Sequence, residues 1–338
     1  MASTLSTLIF AMFCFTRCSC AAYNLTDDYA NEDFFSAFTF FNEPDPTEGH
    51  VEYVSKQVAH KNLLAGTLVN HDNAVYLGVD AQHIAETGRQ SVRLTSKKSF
   101  NKGLFIADIA HAPNTICGVW PAFWMLSSSA VWPVGGEIDI LEGVNDQVGN
   151  HMTLHTSEGC SIGNASTSSP AENFTGQLGT TNCDVKAPDQ PTNAGCQISN
   201  PDPAAFGTGF NKVGGGVYAM EWTSASISIW HFPRASIPSD LSSNATNPDP
   251  SKWPTPVARF NNNSEDGSKC DIDARFKDLQ IVFDTTFCGA WAGNEDVWSK
   301  SGCVALAPTC KEYVAQNPEA FTDAYWTINS VRVYEQEN

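Results

Sequence analysis

Basic residues are scarce in this sequence. Nineteen Lys and Arg stand against 37 Asp and Glu, a formal net charge of −18 over 338 residues. Such a chain repels phosphate backbones and anionic bilayers, which argues against nucleic-acid and membrane-surface partners and leaves neutral ones open. Long apolar runs are also missing. Beyond residue 25 no stretch of about 18 apolar residues occurs, so no membrane span is expected. Helical periodicity is sparse, with Lys311–Phe321 the one segment that could hold a short helix. No cysteine pair has CxxC or Cys/His zinc spacing and no HExxH occurs, so no metal site of those kinds is expected. No G-x-S-x-G elbow appears, which removes the usual support for a serine hydrolase.

What is present begins with an export signature. Leu5–Phe15 (LSTLIFAMFCF) is an apolar run of signal-peptide length, with Ser19 and Ala21 as small residues at cleavage spacing. Residues 1–21 are read as a secretory signal and the protein as extracellular. Three of the eleven cysteines would leave with that signal. Eight remain: Cys117, Cys160, Cys183, Cys196, Cys270, Cys288, Cys303 and Cys310. An even set in an exported chain points to disulfides, and the 105 possible pairings stay open. Five N-x-S/T sequons, at Asn24, Asn164, Asn173, Asn244 and Asn262, are glycosylation candidates consistent with secretion.

Segments rich in β-branched and aromatic residues recur between turn signals. Candidate strands are Ser91–Ser96, Gly103–Ala110, Gly118–Leu126, Glu137–Glu142, His151–Thr156, Val217–Trp222, Ser226–Phe232, Leu279–Phe287 and Ala324–Tyr334. Several alternate with period two, the pattern of half-buried antiparallel strands, so an all-β sandwich or barrel is expected. The stretch Thr156–Gly216 is dense in Gly, Ser, Asn, Thr and Pro and carries three cysteines. It reads as a disulfide-stapled surface excursion of one domain.

The segment GGEIDILEG, Gly135–Gly143, places Glu137, Asp139 and Glu142 within six residues on an otherwise apolar strand. Side chains two apart share a strand face, so Glu137 and Asp139 point one way and Ile138 and Ile140 the other. In regular geometry Glu142 would point with the isoleucines, where a lone buried carboxylate is costly. A β-bulge near Ile140 or Leu141 returns it to the face of its partners. Two glutamates on one face suit retaining glycoside hydrolysis, in which the carboxyls stand about 5–5.5 Å apart. An exposed acidic strand and a calcium site are the alternatives for the bare pattern, although the spacing is not that of an EF-hand loop.

GGEIDILEG resembles the E-[ILV]-D-[IV]-x-E signature of family 16 glycoside hydrolases, the laminarinase-like branch. GVWPAFWML before it, EGVND and MTLHT after it, and FCGAWAG and YWTINSVRVY near the end are similar to fungal secreted members. The likeness runs from about Tyr23 to Tyr334. It implies a concanavalin-like β-jelly roll of two curved antiparallel sheets, with residues 22–338 as a single catalytic domain. It implies Glu137 as nucleophile, Glu142 as acid/base and Asp139 as supporting carboxylate, acting on internal β-1,3 and mixed β-1,3/1,4 glucan bonds without a cofactor. Trp120, Trp132 and Trp291 would be sugar platforms, Trp124 either platform or core, because aromatic rings stack on the apolar faces of sugars. His155 in MTLHT would bind sugar, tune Glu142 or sit satisfied in the core. Trp222, Trp230, Trp253 and Trp326 are assigned to the core. The expected partner is a β-glucan and the expected state a monomer. A cell-wall transglycosylase and a non-catalytic glucan-binding protein on the same fold remain as alternatives.

Overall fold

The computed structural model describes residues 23–30, 34–163, 173–242, 247–264 and 267–336. The signal segment and the sequons Asn164 and Asn244 lie outside the described residues. The strands in chain order are β1 (Tyr23–Tyr29), β2 (Phe38–Phe41), β3 (Val51–Tyr53), β4 (Ala65–Leu68), β5 (Ala74–Leu77), β6 (Arg89–Ser91), β7 (Arg93–Ser96), β8 (Gly103–His111) and β9 (Val119–Ser127). They continue with β10 (Glu137–Glu142), β11 (Asn150–His155), β12 (Gln177–Leu178), β13 (Cys196–Asn200), β14 (Gly216–Trp222), β15 (Ser226–Pro233), β16 (Ala258–Asn261), β17 (Leu279–Phe287) and β18 (Trp326–Gln336).

Two antiparallel eight-stranded sheets make the expected jelly-roll sandwich. The front sheet runs β12-β13-β11-β10-β9-β17-β7-β2. The back sheet runs β16-β15-β14-β8-β18-β5-β4, with β1 added along β18. Alternation explains the packing. On β9, Val119, Phe123 and Met125 are buried inward while Trp120 and Trp124 are left partly exposed on the other face. On β10, Ile138 and Ile140 join Phe105, Ile109 and Ile229 of the back sheet in one continuous core. Each such fully buried aliphatic side chain stabilises the sandwich by about 1.5–3 kcal/mol. Among the described residues no helix is long and apolar enough to cross a membrane.

Three expectations are refined. Ser91–Ser96 is two strands broken at Val92: β6 pairs in parallel with β3, and β7 pairs with β17 and β2. The helix expected over Lys311–Phe321 is an α-helix at Cys310–Gln316 followed by a 3-10 turn at Pro318–Phe321. Pro318 explains the break, since it has no N–H to continue the helix and biases Asn317 away from α geometry. The excursion after Thr156 is stapled as expected, yet its later part is structural: β13 pairs with β11 and so widens the front sheet. The eight cysteines form Cys117–Cys303, Cys160–Cys270, Cys183–Cys196 and Cys288–Cys310. The first and last of these bind the helical segment after β17 to the start of β9 and the end of β17.

Candidate active site

Cross-strand register lays the outer face of the front sheet out in rows. One row is Gln280, Leu126, Glu137 and His155. The next is Thr39, Thr95, Val282, Trp124, Asp139, Thr153 and Gln197. The third is Phe41, Arg93, Asp284, Ala122 and Glu142. Two steps on β9, from Trp124 to Ala122, oppose three on β10, from Asp139 to Glu142, and the register shifts between Asp139 and Leu141. That extra residue is the bulge the charge pattern demanded. Ile140 and Leu141 both turn into the core, and all three carboxylates face outward together. The strand enters through Gly136 at φ +80°, where a Cβ would lie 2.4 Å from the Phe276 ring and 2.7 Å from the Arg275 carbonyl. Only glycine fits that approach.

Neighbouring walls bury the carboxylates although they face outward. Asp139 is 2% exposed and Glu142 9%, while the Glu137 side chain keeps 15%. Burial pushes all three carboxyl groups up, and repulsion from a neighbouring acid adds to it, from Asp139 for both glutamates and from Asp284 for Asp139. Glu137 is raised to about 8, with His155, the Trp132 indole and Arg93 pulling back. Glu142 is held well above the usual range, opposed by the Trp120 indole N–H, which donates to its Oε1 at 2.8 Å, and by His155. Asp139 is also held well above it, by burial and by the charge of Asp284. Glu137 therefore has the most support for its anion. The cluster as a whole holds protons that isolated carboxyls would release.

His155 is drawn into the site: its Nε2 lies 3.2 Å from Asp139 Oδ2 and 3.9 Å from Glu137 Oε1. The first contact has ion-pair distance but not hydrogen-bond alignment, and Asp139 Oδ2 and His155 Nδ1 are buried without a hydrogen-bond partner among the described residues. Trp132, 40% exposed on the loop before β10, tilts over the His155 ring at 6.3 Å. Trp291, on the short helix Gly289–Ala292, packs edge-on against Trp120 at 5.5 Å and lies 5.8 Å from His151. Trp124 belongs to the outer face and not to the core. Its Nε1 donates to Asp284 Oδ1 at 3.0 Å, and its ring receives the Arg93 guanidinium at 5.0 Å. Trp222, Trp230, Trp253 and Trp326 are buried as assigned. Asn24 lies on β1 and Asn262 just after β16, where its Nδ2 donates to Ser224 O; Asn173 lies within the stapled segment.

Sequence reasoning missed a second group on the same face. Asp284 accepts from Tyr53 at 2.5 Å and from Trp124, and Arg93 lies between the Phe41 and Trp124 rings. A signal for Asp284 existed: a single acid in the apolar run IVFDTTF, at even spacing from Val282. Glu137, Asp139 and His155 also bring one ligand atom each to within 4.8 Å of one another, two oxygens and a nitrogen that could hold a cation. A cation there would occupy the oxygens of Glu137 and Asp139.

Residues 38–334 match the family described as XgeA-like, catalytic GH16 domain. The chain is similar to an endo-1,3(4)-beta-glucanase of Arthroderma benhamiae, 46% identical over 319 residues that cover 94% of this chain and 65% of the relative. The chain thus spans about two thirds of that relative's length. It is also similar to the structure of GH16 laminarinase 16A from Phanerochaete chrysosporium carrying two 6-O-glucosyl-laminaritriose molecules in donor and acceptor sites. That likeness has TM-score 0.83 and 38% identity, covering 93% of this chain and 100% of the other. An elongating GH family 16 beta-1,3-glucosyltransferase is similar at TM-score 0.79 and 41% identity, with the same coverage.

Proposed function

The chain belongs to the XgeA-like GH16 catalytic domains, and on that premise we propose that it is a secreted endo-acting β-glucanase. It would cut internal β-1,3 and mixed β-1,3/1,4 glucosidic bonds with retention of configuration. The observation that carries this reading is the bulged β10, which turns Glu137, Asp139 and Glu142 onto one face in three consecutive rows. Eight strands at about 4.8 Å spacing give a floor roughly 34 Å across, enough for several sugar units on both sides of the scissile bond. Four disulfides suit an oxidising, extracellular setting.

In this mechanism Glu137 attacks the anomeric carbon in its carboxylate form, which His155, the Trp132 indole and Arg93 favour against burial. The bond from that carbon to the leaving oxygen breaks as Glu142 gives that oxygen its proton. Water then attacks the same carbon, Glu142 takes the water's proton, and Glu137 leaves as carboxylate with the free sugar released. Asp139, whose carboxyl burial and the Asp284 charge push well above its ordinary value, favours its neutral form and so limits the charge between the two glutamates. Trp120 and Trp291, beside Glu142, lie on the leaving-group side; Trp124 and Trp132 offer further ring faces.

Product release from laminarin and from mixed-linkage glucan tests the proposal, with wild type beside Glu137→Gln. Short oligosaccharides from wild type alone are expected, and equal release by both proteins would remove Glu137 as nucleophile. The likeness to an elongating glucosyltransferase favours transfer as a second reading, because the same covalent intermediate can pass to a sugar hydroxyl instead of water. Products longer than an added laminari-oligosaccharide would decide for it.

A further inference from the structure

We propose that Asn150 is the positioning residue that aims Glu142, by replacing the strand ladder with its side chain where the bulge breaks it. The proposal rests on the reading of Glu142 as acid/base. The β10–β11 ladder pairs Glu137 with His155, Ile138 with Leu154 and Asp139 with Thr153, and goes no further. Beyond it, where the register against β9 shifts between Asp139 and Leu141, the backbone of Ile140–Glu142 has no ladder partner on β11. The Glu142 N–H and the Ile140 carbonyl would be buried orphans, each costly to leave unpaired.

Asn150 is fully buried and satisfies both. Its Oδ1 accepts the Glu142 N–H at 2.7 Å, and its Nδ2 donates to Ile140 O at 2.8 Å. One planar amide thus spans both ends of the extra residue. Asparagine suits the task because acceptor and donor stand side by side on one rigid group, which neither Asp nor Ser can reproduce. Glu142 is then held at two points: its backbone N–H by Asn150 on β11, its carboxyl by Trp120 on β9. That leaves little freedom for the carboxyl to wander from the glycosidic oxygen. A misplacement of about 1 Å can cost about 100-fold in rate.

The test compares two substrates on the same protein. Laminarin has a sugar leaving group that needs a proton. A 2,4-dinitrophenyl β-laminaribioside has a leaving group that departs without one. Both are measured with wild type, Asn150→Ala and Asn150→Ser, so any unfolded fraction cancels in the ratio. The serine variant carries the test if alanine does not fold. The expected result is a loss of about tenfold or more in kcat/KM on laminarin, with the aryl substrate losing far less, because kcat/KM reports formation of the covalent intermediate, and in that step only the leaving group that needs a proton depends on Glu142 placement. An equal loss on both substrates would overturn the proposal and leave Asn150 a structural residue. Glu142→Ala in parallel separates the two claims. It is expected to keep turnover of the aryl substrate with azide as rescuing nucleophile. Loss on both substrates without rescue would overturn the acid/base reading itself, and the Asn150 proposal with it.

Discussion

Two strands of the front sheet each carry a carboxylate buried nearly completely, and the protein treats them differently. Asp284 on β17 accepts from the Tyr53 hydroxyl and the Trp124 indole, with Arg93 beside it, and is pushed up only to about 6. Asp139 on β10 faces His155 at 3.2 Å without aligned hydrogen bonding and sits among two more acids. Its carboxyl is held well above the ordinary range. Burial is shared, so burial does not distinguish them. The Arg93 charge beside Asp284, and after it the two aligned donors, do. A saturated carboxylate is a fixed charge that holds walls in place, while an unsaturated cluster keeps a proton available, which is what acid–base chemistry needs.

The largest way to sharpen this contrast is Glu137→Gln. Turnover is expected to fall by roughly 10^4–10^6-fold, the scale on which removing a covalent nucleophile acts, with glucan binding retained in a pull-down. The variant should also change stability against pH. A carboxyl whose folded pKa lies above its unfolded value binds more protons in the native state, so stability falls as pH rises between the two values. For Glu137 that window runs from the ordinary value of 4.5 to about 8; for Asp284 it runs from 3.8 to about 6. Asp284→Asn is therefore expected to flatten the fall of stability below pH 6 and to leave the slope above pH 6 as in wild type. Its window corresponds to about 3 kcal/mol in total. Glu137→Gln should flatten the slope above pH 6 as well. Denaturant melts across that range would read both, and identical slopes in the two variants would dissolve the distinction between β10 and β17.

The same contrast shows what a sequence can disclose. The trio on β10 was legible because three charges interrupt an apolar strand at spacings that only a bulge reconciles. The sandwich was legible from period-two runs such as SISIWHF. The short strands β2, β4 and β5 were not, since four residues carry too little periodicity to separate from turn. β13 was hidden by a polar composition that suits an edge of the sheet as well as a loop. Trp124 stayed ambiguous because an outward position beside Phe123 and Met125 reads the same whether a cleft or solvent lies beyond. Arg93 and Tyr53 had no local signal. Each gains its role from a partner more than 30 residues away, and such long-range pairing leaves no periodic trace. Disulfide pairing was closed to sequence for the same reason.

Two arginines repeat the comparison in positive charge. Arg89 is fully buried and donates to the carbonyls of Asp80, His83 and Val314, with its guanidinium over the Phe321 ring. Arg93 is buried between two rings, and its Nε has no hydrogen-bond partner among the described residues. Arg89→Met is expected to destabilise by about 3 kcal/mol or more through orphaned carbonyls, with kcat per folded molecule unchanged. Arg93→Met should cost less stability and act on catalysis instead. Its charge lowers the Glu137 carboxyl, so the acid limb of kcat/KM should move to higher pH. An unmoved limb would separate Arg93 from the nucleophile.

The smallest expected effect is at Trp120, where a single donor touches the other glutamate. The Trp120 N–H donates to Glu142 Oε1 at 2.8 Å and favours the anion, which works against the acid that the first step requires. Trp120→Phe keeps an aromatic platform and removes only that donor. The Glu142 carboxyl should then rise further, and the alkaline limb of kcat/KM, where the acid loses its proton, should shift upward. KM should change little if the ring alone supports the sugar. A downward shift would mean that the indole serves the protonated form, and Glu142 would then belong with Asp139 among the carboxyls kept neutral and not with the group that gives and retakes the proton.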